Sequence, residues 1–434
     1  MVKIRPLPII LVSQWRRSAL VLYACGFLFG MRSGILMVTW PWWTMNVLHG
    51  GSVAVGAIGA VWTLGYIIFC LLIGPHADKV NARKMIMMAM TASACLITIM
   101  PLMPSVALLL MIIGIEGAVS GMVWPPLVGW LSVGHQGGQL NKRITLFSFS
   151  VYLGSVIGYL ISGWLWSRWS SHLLPYITTV IIVVGAIIMA ASAYHRKESL
   201  IRQQWDKMEK PSPEAVVFRI MSIIATIVAG ATLGTIQFPM VSLMKQMGIG
   251  PNLHAPIGAG IGIALMCGFL LMGRTTRWHY NKSFFWSIQI LIAIMVLAIS
   301  TSTSAWQLGV YSIVAALGLS VYFISDLYYA VSITKRRIHA TSIHEICTSG
   351  GYMVGSLGGG ALARLIGLRQ IFPVMAGVII LALIAQILIY HRYRRRPIPL
   401  PISKPADMTQ ADENTQQYQK HQNADISPAG RANP

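Results

Sequence analysis

The chain has 434 residues, of which 55% are apolar and only 10% are charged. Soluble proteins carry about 25% charged residues, so this composition excludes a chain that meets water on all sides. A formal net charge of +21 would suit a nucleic-acid binder. The bases, however, are spread over many short segments instead of gathering on one face or arm, and that excludes the nucleic-acid reading.

Apolar runs of about 20 residues recur along the chain, each long enough to cross a bilayer as a helix. Helices satisfy their own backbone hydrogen bonds, which lipid cannot do. Twelve spans are predicted, the first six near 18–43, 52–74, 85–102, 105–133, 144–167 and 173–194. The second six are predicted near 217–243, 254–273, 283–301, 305–333, 339–364 and 370–391. The first run is too long for the apolar part of a signal peptide and has no small-residue cleavage site, so no cleaved leader is expected. Between the sets of six runs YHRKESLIRQQWDKMEKPSPEA, from Tyr194 to Ala215, a charged segment with Pro211 and Pro213 near its end. It reads as a solvated linker. The tail after Arg396 is polar and rich in Gln, Asn and Pro, a composition expected to be disordered.

Bases alternate from loop to loop. One side receives Lys79, Arg83, Lys84, Lys142 and Arg143, the basic linker with Arg219 just after it, then Arg274, Arg277, Lys282, Lys335, Arg336, Arg337 and the HRYRRR cluster at 391–396. The other side receives Arg168, Lys245, Arg364 and Arg369. Positive charge collects on the cytoplasmic side. The pattern therefore predicts a multi-pass protein of the cytoplasmic (inner) membrane with both termini inside. TWPWWT, with Trp40, Trp42 and Trp43, falls at the predicted outer end of the first span, and Trp164, Trp166 and Trp169 at that of the fifth. Both groups read as interfacial belts. The five cysteines lie in apolar runs without a CxxC pair, so they read as packing residues, and no metal or cofactor is expected.

The two halves repeat. Gly154, Gly158, Ser162 and Gly163 in the fifth span are answered by Gly351, Gly355, Gly359 and Gly360 in the eleventh, at a constant offset of 197 residues. Gly30 and Gly34 answer Gly230 and Gly234, Pro41 answers Pro239, and Gly74 answers Gly273, at offsets of 200, 198 and 199. Small residues four apart let helices approach closely. A repeat of six spans plus six is a transporter architecture, with the substrate site near the midplane between the halves. The expected fold is an all-α integral membrane protein of twelve transmembrane helices in two pseudo-symmetric six-helix bundles. The expected division is residues 1–194, a cytoplasmic linker at 195–216, residues 217–396, and a tail at 397–434.

Between spans two and three lies IGPHADKVNARK, Ile73 to Lys84, a charged pause in an apolar sequence. It resembles the signature loop of the major facilitator superfamily, roughly G-x-L-x-D-R-x-G-R-K. Gly74 matches the first glycine, Asp78 the aspartate, Lys79 the first arginine and Arg83 the final base. Asn81 replaces the second glycine and Ala82 the next arginine; asparagine tolerates the left-handed backbone better than most residues, so the replacement leaves a tight turn open. The resemblance implies a gating role, in which Asp78 and the bases latch the two halves on the cytoplasmic side. The second-half loop, GRTTRWHYNK from Gly273, keeps the glycine and bases but places Arg277 where the aspartate would be. The family's antiporter stripe, G-x-x-x-G-P-x-x-G-G, reads GSVIGYLISG here, with Tyr159 in place of proline, which weakens an efflux-antiporter assignment. The resemblance covers the chain to about residue 395 and implies a transporter without naming its solute.

Ionisable groups within spans are few and are functional candidates by default. Arg32 and Glu116 lie roughly 12–16 Å and 16 Å below the outer ends of spans one and four, at 1.5 Å per residue. In the family fold both spans line the central cavity. Arg32, Glu116 and Trp124 are therefore candidates for substrate binding. Arg32 would hold an anionic group, and Glu116 would neutralise it in the empty site and carry a coupled proton; the alternative is a permanent pair that fixes helix register. Asp326, His344 and Glu345 lie toward the inner side, either as a proton relay or, in the favoured reading, as a latch to Lys335, Arg336 or Arg337. Trp124-Pro-Pro126 is expected to kink span four. No P-loop or nucleophile constellation is present, so an enzyme or ATP-driven pump is not expected. Three functions stay open: a proton-coupled secondary transporter of a small, anionic solute; a drug-type exporter of cations; and a transporter-like scaffold or sensor.

Overall fold

The structure, a computed structural model, describes residues 9–73, 81–132, 137–168, 172–191, 213–332 and 337–394. Gly74, Asp78 and Lys79 of the predicted gating loop lie outside the described residues, as do residues 195–212 of the predicted linker and the tail from 397. Described residues up to Tyr390 belong to one packed body, and those from His391 to a separate unit.

Twelve spans follow the predicted order. Among the described residues, eleven stretches are long and apolar enough to cross a membrane. The remaining span, the eleventh, is interrupted. It runs as a helix from Arg337 to Met353, passes through a π turn at Val354–Gly358 and resumes from Gly359 to Ile366. Its polar opening, RIHATSIHE, also lowers its apolar content. Span one is longer than predicted, Ile9–Asn46, and stays helical through Pro41. Span seven starts at Pro213, inside the predicted linker, and breaks at Phe238, where Pro239 opens a second short helix. Span four breaks at Met122 and Val123, and its second piece, Trp124–Ser132, takes Pro125 and Pro126 into its first turn, where no intrahelical N–H is needed.

The glycine repeat sets the packing within each half. A Cβ on Gly154 would run into the carbonyl of Phe27, and one on Gly158 into that of Met31, so span five lies directly on span one. Gly351 and Gly355 meet the carbonyls of Ile227 and Ala231 in the same way, laying span eleven on span seven. From the other side, Gly30, Gly34, Gly230 and Gly234 each meet a backbone carbonyl of the partner helix. Higher in the same stripes the contact crosses between halves. Gly163 meets Ala255 of span eight, and Gly360 meets Ser52 and Gly56 of span two, whereas Gly359 stays in its own half against Pro239. Lipid supplies no hydrophobic drive between helices, so this close backbone fit carries their association.

Asn81 does not use the left-handed backbone. Its φ is −70°, so it makes no left-handed turn; its side chain accepts from Lys84 N at 3.2 Å and caps span three. Asn281 does the same for span nine, accepting from Phe284 N at 3.1 Å. The replacement for the signature glycine is an N-cap, repeated 200 residues later. The belt reading of TWPWWT is corrected. Trp40, Trp42 and Trp43 are buried because they face protein at the seam between spans, while Trp164 is exposed.

Candidate functional site

A cavity of about 280 Å³ lies between the halves. Spans one, two, four and five wall it from one half and spans seven, eight, ten and eleven from the other. Of the predicted residues, Arg32, Trp124, His344 and Glu345 face it. Trp124 is held edge-on by Phe29, with ring centroids 5.0 Å apart. Breaking span four at this point turns the indole into the wall.

Arg32 and Glu116 come together as an ion pair, both side chains about 1% exposed. The pair is layered. Arg32 stands in the cavity wall and Glu116 behind it. Glu116 also accepts from Trp62 Nε1 at 2.6 Å, Ser93 Oγ at 3.1 Å and Ser120 Oγ at 2.9 Å. A buried carboxylate needs such donors to persist, and three neutral ones leave it only partly dependent on Arg32. Nη2 of Arg32 makes the contact to Glu116 and a 3.4 Å bond to Ser120 Oγ, while its Nε is buried without a hydrogen-bond partner. The guanidinium also lies over the Phe29 ring, 4.3 Å from its centroid.

Asp326 is fully buried in the other half. The favoured latch is corrected for this residue: Asp326 is paired with Arg219 of span seven, which also donates to the Asp326 carbonyl at 2.9 Å. Ser222 Oγ donates to the carboxylate at 2.9 Å, and His344 Nδ1 lies 2.6 Å from its other oxygen. Lys335 and Arg336, and the side chain of Arg337, are outside the described residues. Asp326 does not line the cavity; His344 links it to the wall. Glu345, next in sequence, faces the Tyr66 hydroxyl of span two. The ion pairs among the described residues do not involve Glu345.

Arg83 serves its own half. It donates to the Met189 carbonyl at 3.2 Å and to that of Ala190, at the C-terminal end of span six, where a cation suits the helix dipole. The halves touch beyond both ends of the cavity. At one end Trp42 Nε1 donates to His254 Nδ1 at 3.0 Å, and Lys245 Nζ reaches Asn46 Oδ1 at 3.1 Å. At the other, Asn141 Nδ2 donates to the Met272 carbonyl at 3.3 Å, and Thr341 Oγ1 to that of Pro125 at 3.3 Å. The sequence reading missed Arg219, Trp62, Tyr66 and His254. The demand of a buried Asp326 for a cation was the signal that could have found Arg219.

Solved structures share this fold. The human organic anion transporter MFSD10 (TETRAN) superposes with a TM-score of 0.65 at 12% identity, over 86% of this chain and 99% of its own. A bacterial homolog of the human lysosomal transporter Spinster, inward-facing and unoccupied, gives 0.64 at 16%, over 88% and 99%. A point mutant of the nucleoside transporter NupG gives 0.61 at 13%, over 86% and 99%. No curated protein matches the sequence. The family profile described as Major Facilitator Superfamily matches residues 22–337, well over half of the chain. With two repeated six-span halves closing on one shared cavity, the chain belongs to the Major Facilitator Superfamily.

Proposed function

We propose that this chain is a proton-coupled secondary transporter, working by alternating access, for a small solute that carries an anionic group. One observation carries the reading: an arginine in the cavity wall, Arg32, is held from behind by a carboxylate that has three other donors. A solute anion can therefore take up part of the guanidinium without leaving Glu116 stranded. That the human structural relative is an organic anion transporter agrees with this. Residues 1–194 and 217–396 are the two rocking bodies, with the linker and both termini on the cytoplasmic side of the inner membrane. Opening one side breaks Trp42–His254 and Lys245–Asn46; opening the other breaks Asn141–Met272 and Thr341–Pro125.

The proton site is His344 with Asp326. His344 is a titratable group that touches both the cavity and a buried carboxylate. Glu116, enclosed behind Arg32, positions that arginine.

Proteoliposomes loaded with a pH dye test this against a panel of organic anions, sugars, amino acids and cationic drugs. An anionic solute should move protons through the wild type and fail to do so through His344→Gln. Response to cationic drugs alone would favour the exporter reading, for which Glu345 among aromatic rings is the supporting feature. Silence across the panel, with protein inserted and folded, would favour a scaffold or sensor.

A further inference from the structure

The cavity wall carries a second ionisable side chain that the anion reading leaves unused. Glu345 comes from span eleven of one half, and Arg32 from span one of the other. Each has a polar group beside it: the Nε of Arg32 is buried without a hydrogen-bond partner, and the Tyr66 hydroxyl lies against Glu345. Between them runs an aromatic strip. Trp62 and Tyr66, one turn apart on span two, stack with ring centroids 5.4 Å apart and planes 26° apart. Trp62 is bonded to Glu116 at the Arg32 end, and Tyr66 faces Glu345 at the other. Four residues of helix rise about 6 Å, so the two rings form a strip roughly a helical turn long, with Arg32 toward one end and Glu345 toward the other.

We propose that the solute is dipolar: an anionic group for Arg32 and a cationic group for Glu345, joined by a flat apolar middle that lies on Trp62 and Tyr66. This rests on the transporter reading and narrows its substrate class. A simple anion would meet the Glu345 carboxylate and a simple cation would meet Arg32, so each pole selects against the solute that suits only the other. A dipolar solute satisfies both and touches both halves at once, so its binding favours the closed arrangement over either open one. An α-amino acid carries both charges on one carbon and is too short for the strip; charges at opposite ends of a ring fit it.

The test uses purified full-length protein and three probes that share a ring: 4-(aminomethyl)benzoate, benzoate and benzylamine. Affinities are read by quenching of intrinsic tryptophan fluorescence, with no variant required. The dipolar probe should bind at least about tenfold more tightly than either single-charge probe, since each pole adds a charge-assisted contact. In Glu345→Gln its affinity should fall to that of benzoate, with benzoate itself not weakened. In Arg32→Lys, which keeps a charge opposite Glu116 and so protects the fold, it should fall towards that of benzylamine. Benzoate binding as tightly as the dipolar probe would overturn the dipolar inference and leave the anion-transport reading standing. Benzylamine binding most tightly, indifferent to Arg32→Lys, would overturn both. No binding by any of the three would overturn the dipolar inference alone, since the proteoliposome panel judges transport independently.

Discussion

Each half buries a carboxylate at the same station in its run of six spans, Glu116 on span four and Asp326 on span ten. Each is paired with an arginine on the first span of its own half. The order of groups then differs. In the first half the arginine stands between carboxylate and cavity. In the second, Arg219 lies away from the cavity and His344 takes the inner position. Arg32 is 1% exposed and Arg219 is 12% exposed. The same scaffold thus offers the cavity a guanidinium from one half and an imidazole from the other. On the proton-coupled reading proposed above, exchanging which side chain stands in front of the acid assigns substrate recognition and proton handling to separate halves.

The largest effect should come from removing the acids. Glu116→Ala leaves Arg32 buried, charged and without its partner, a defect worth about 3–5 kcal/mol. Asp326→Ala should be milder, about 1–3 kcal/mol, because Arg219, unlike Arg32, is partly exposed and reaches its surroundings. Thermal unfolding of the two variants in one detergent decides the matter. A midpoint for Asp326→Ala at or below that for Glu116→Ala would remove the distinction between a trapped and a relievable charge.

The two regions were unequally legible in the sequence. The glycine stripes could be read because a fixed offset repeats them, and backbone contact at Gly154 and Gly351 is the physical reason glycine stands there. Arg32 and Glu116 could be paired because few ionisable groups share their depth. Asp326 was assigned to neighbouring bases because Lys335 to Arg337 follow closely in sequence, yet its carboxylate is fully buried and takes its cation from span seven. Arg219, which sits next to the charged linker, was counted with its bases although its side chain turns inward. A tryptophan run at a span end looks the same whether it faces lipid or the seam between helices, so burial of Trp42 against His254 could not be read. The cavity's poles depended on which helices meet, and one-dimensional patterning does not give that.

Where the halves are alike, matched substitutions should respond alike. Gly154→Ala and Gly351→Ala each drive a methyl group into a backbone carbonyl, and overpacking of this kind costs about 1–3 kcal/mol. Gly350, next to Gly351 on the same helix, has open space where a Cβ would go. Gly350→Ala should therefore be neutral or stabilising by about 0.5–1 kcal/mol through helix propensity alone. Melting curves that lowered Gly154→Ala and left Gly351→Ala unchanged would show that the repeat does not pack the two halves equally.

The finest distinction lies at two cavity-facing side chains, Arg32 and His344. Arg32→Lys keeps the charge but replaces a planar fork of donors with a point. Solute affinity should fall about tenfold, equivalent to about 1.4 kcal/mol, with proton movement per solute unchanged. His344→Gln keeps a polar group near Asp326 but cannot take up a proton at the cavity wall. Its solute affinity should change less than about threefold, a loss of well under 1.4 kcal/mol, while proton movement disappears. Binding and dye signal measured on the same two preparations separate the roles. If His344→Gln moved protons like the wild type, proton handling would have to lie elsewhere. If Arg32→Lys altered the proton count, the two halves would share one task.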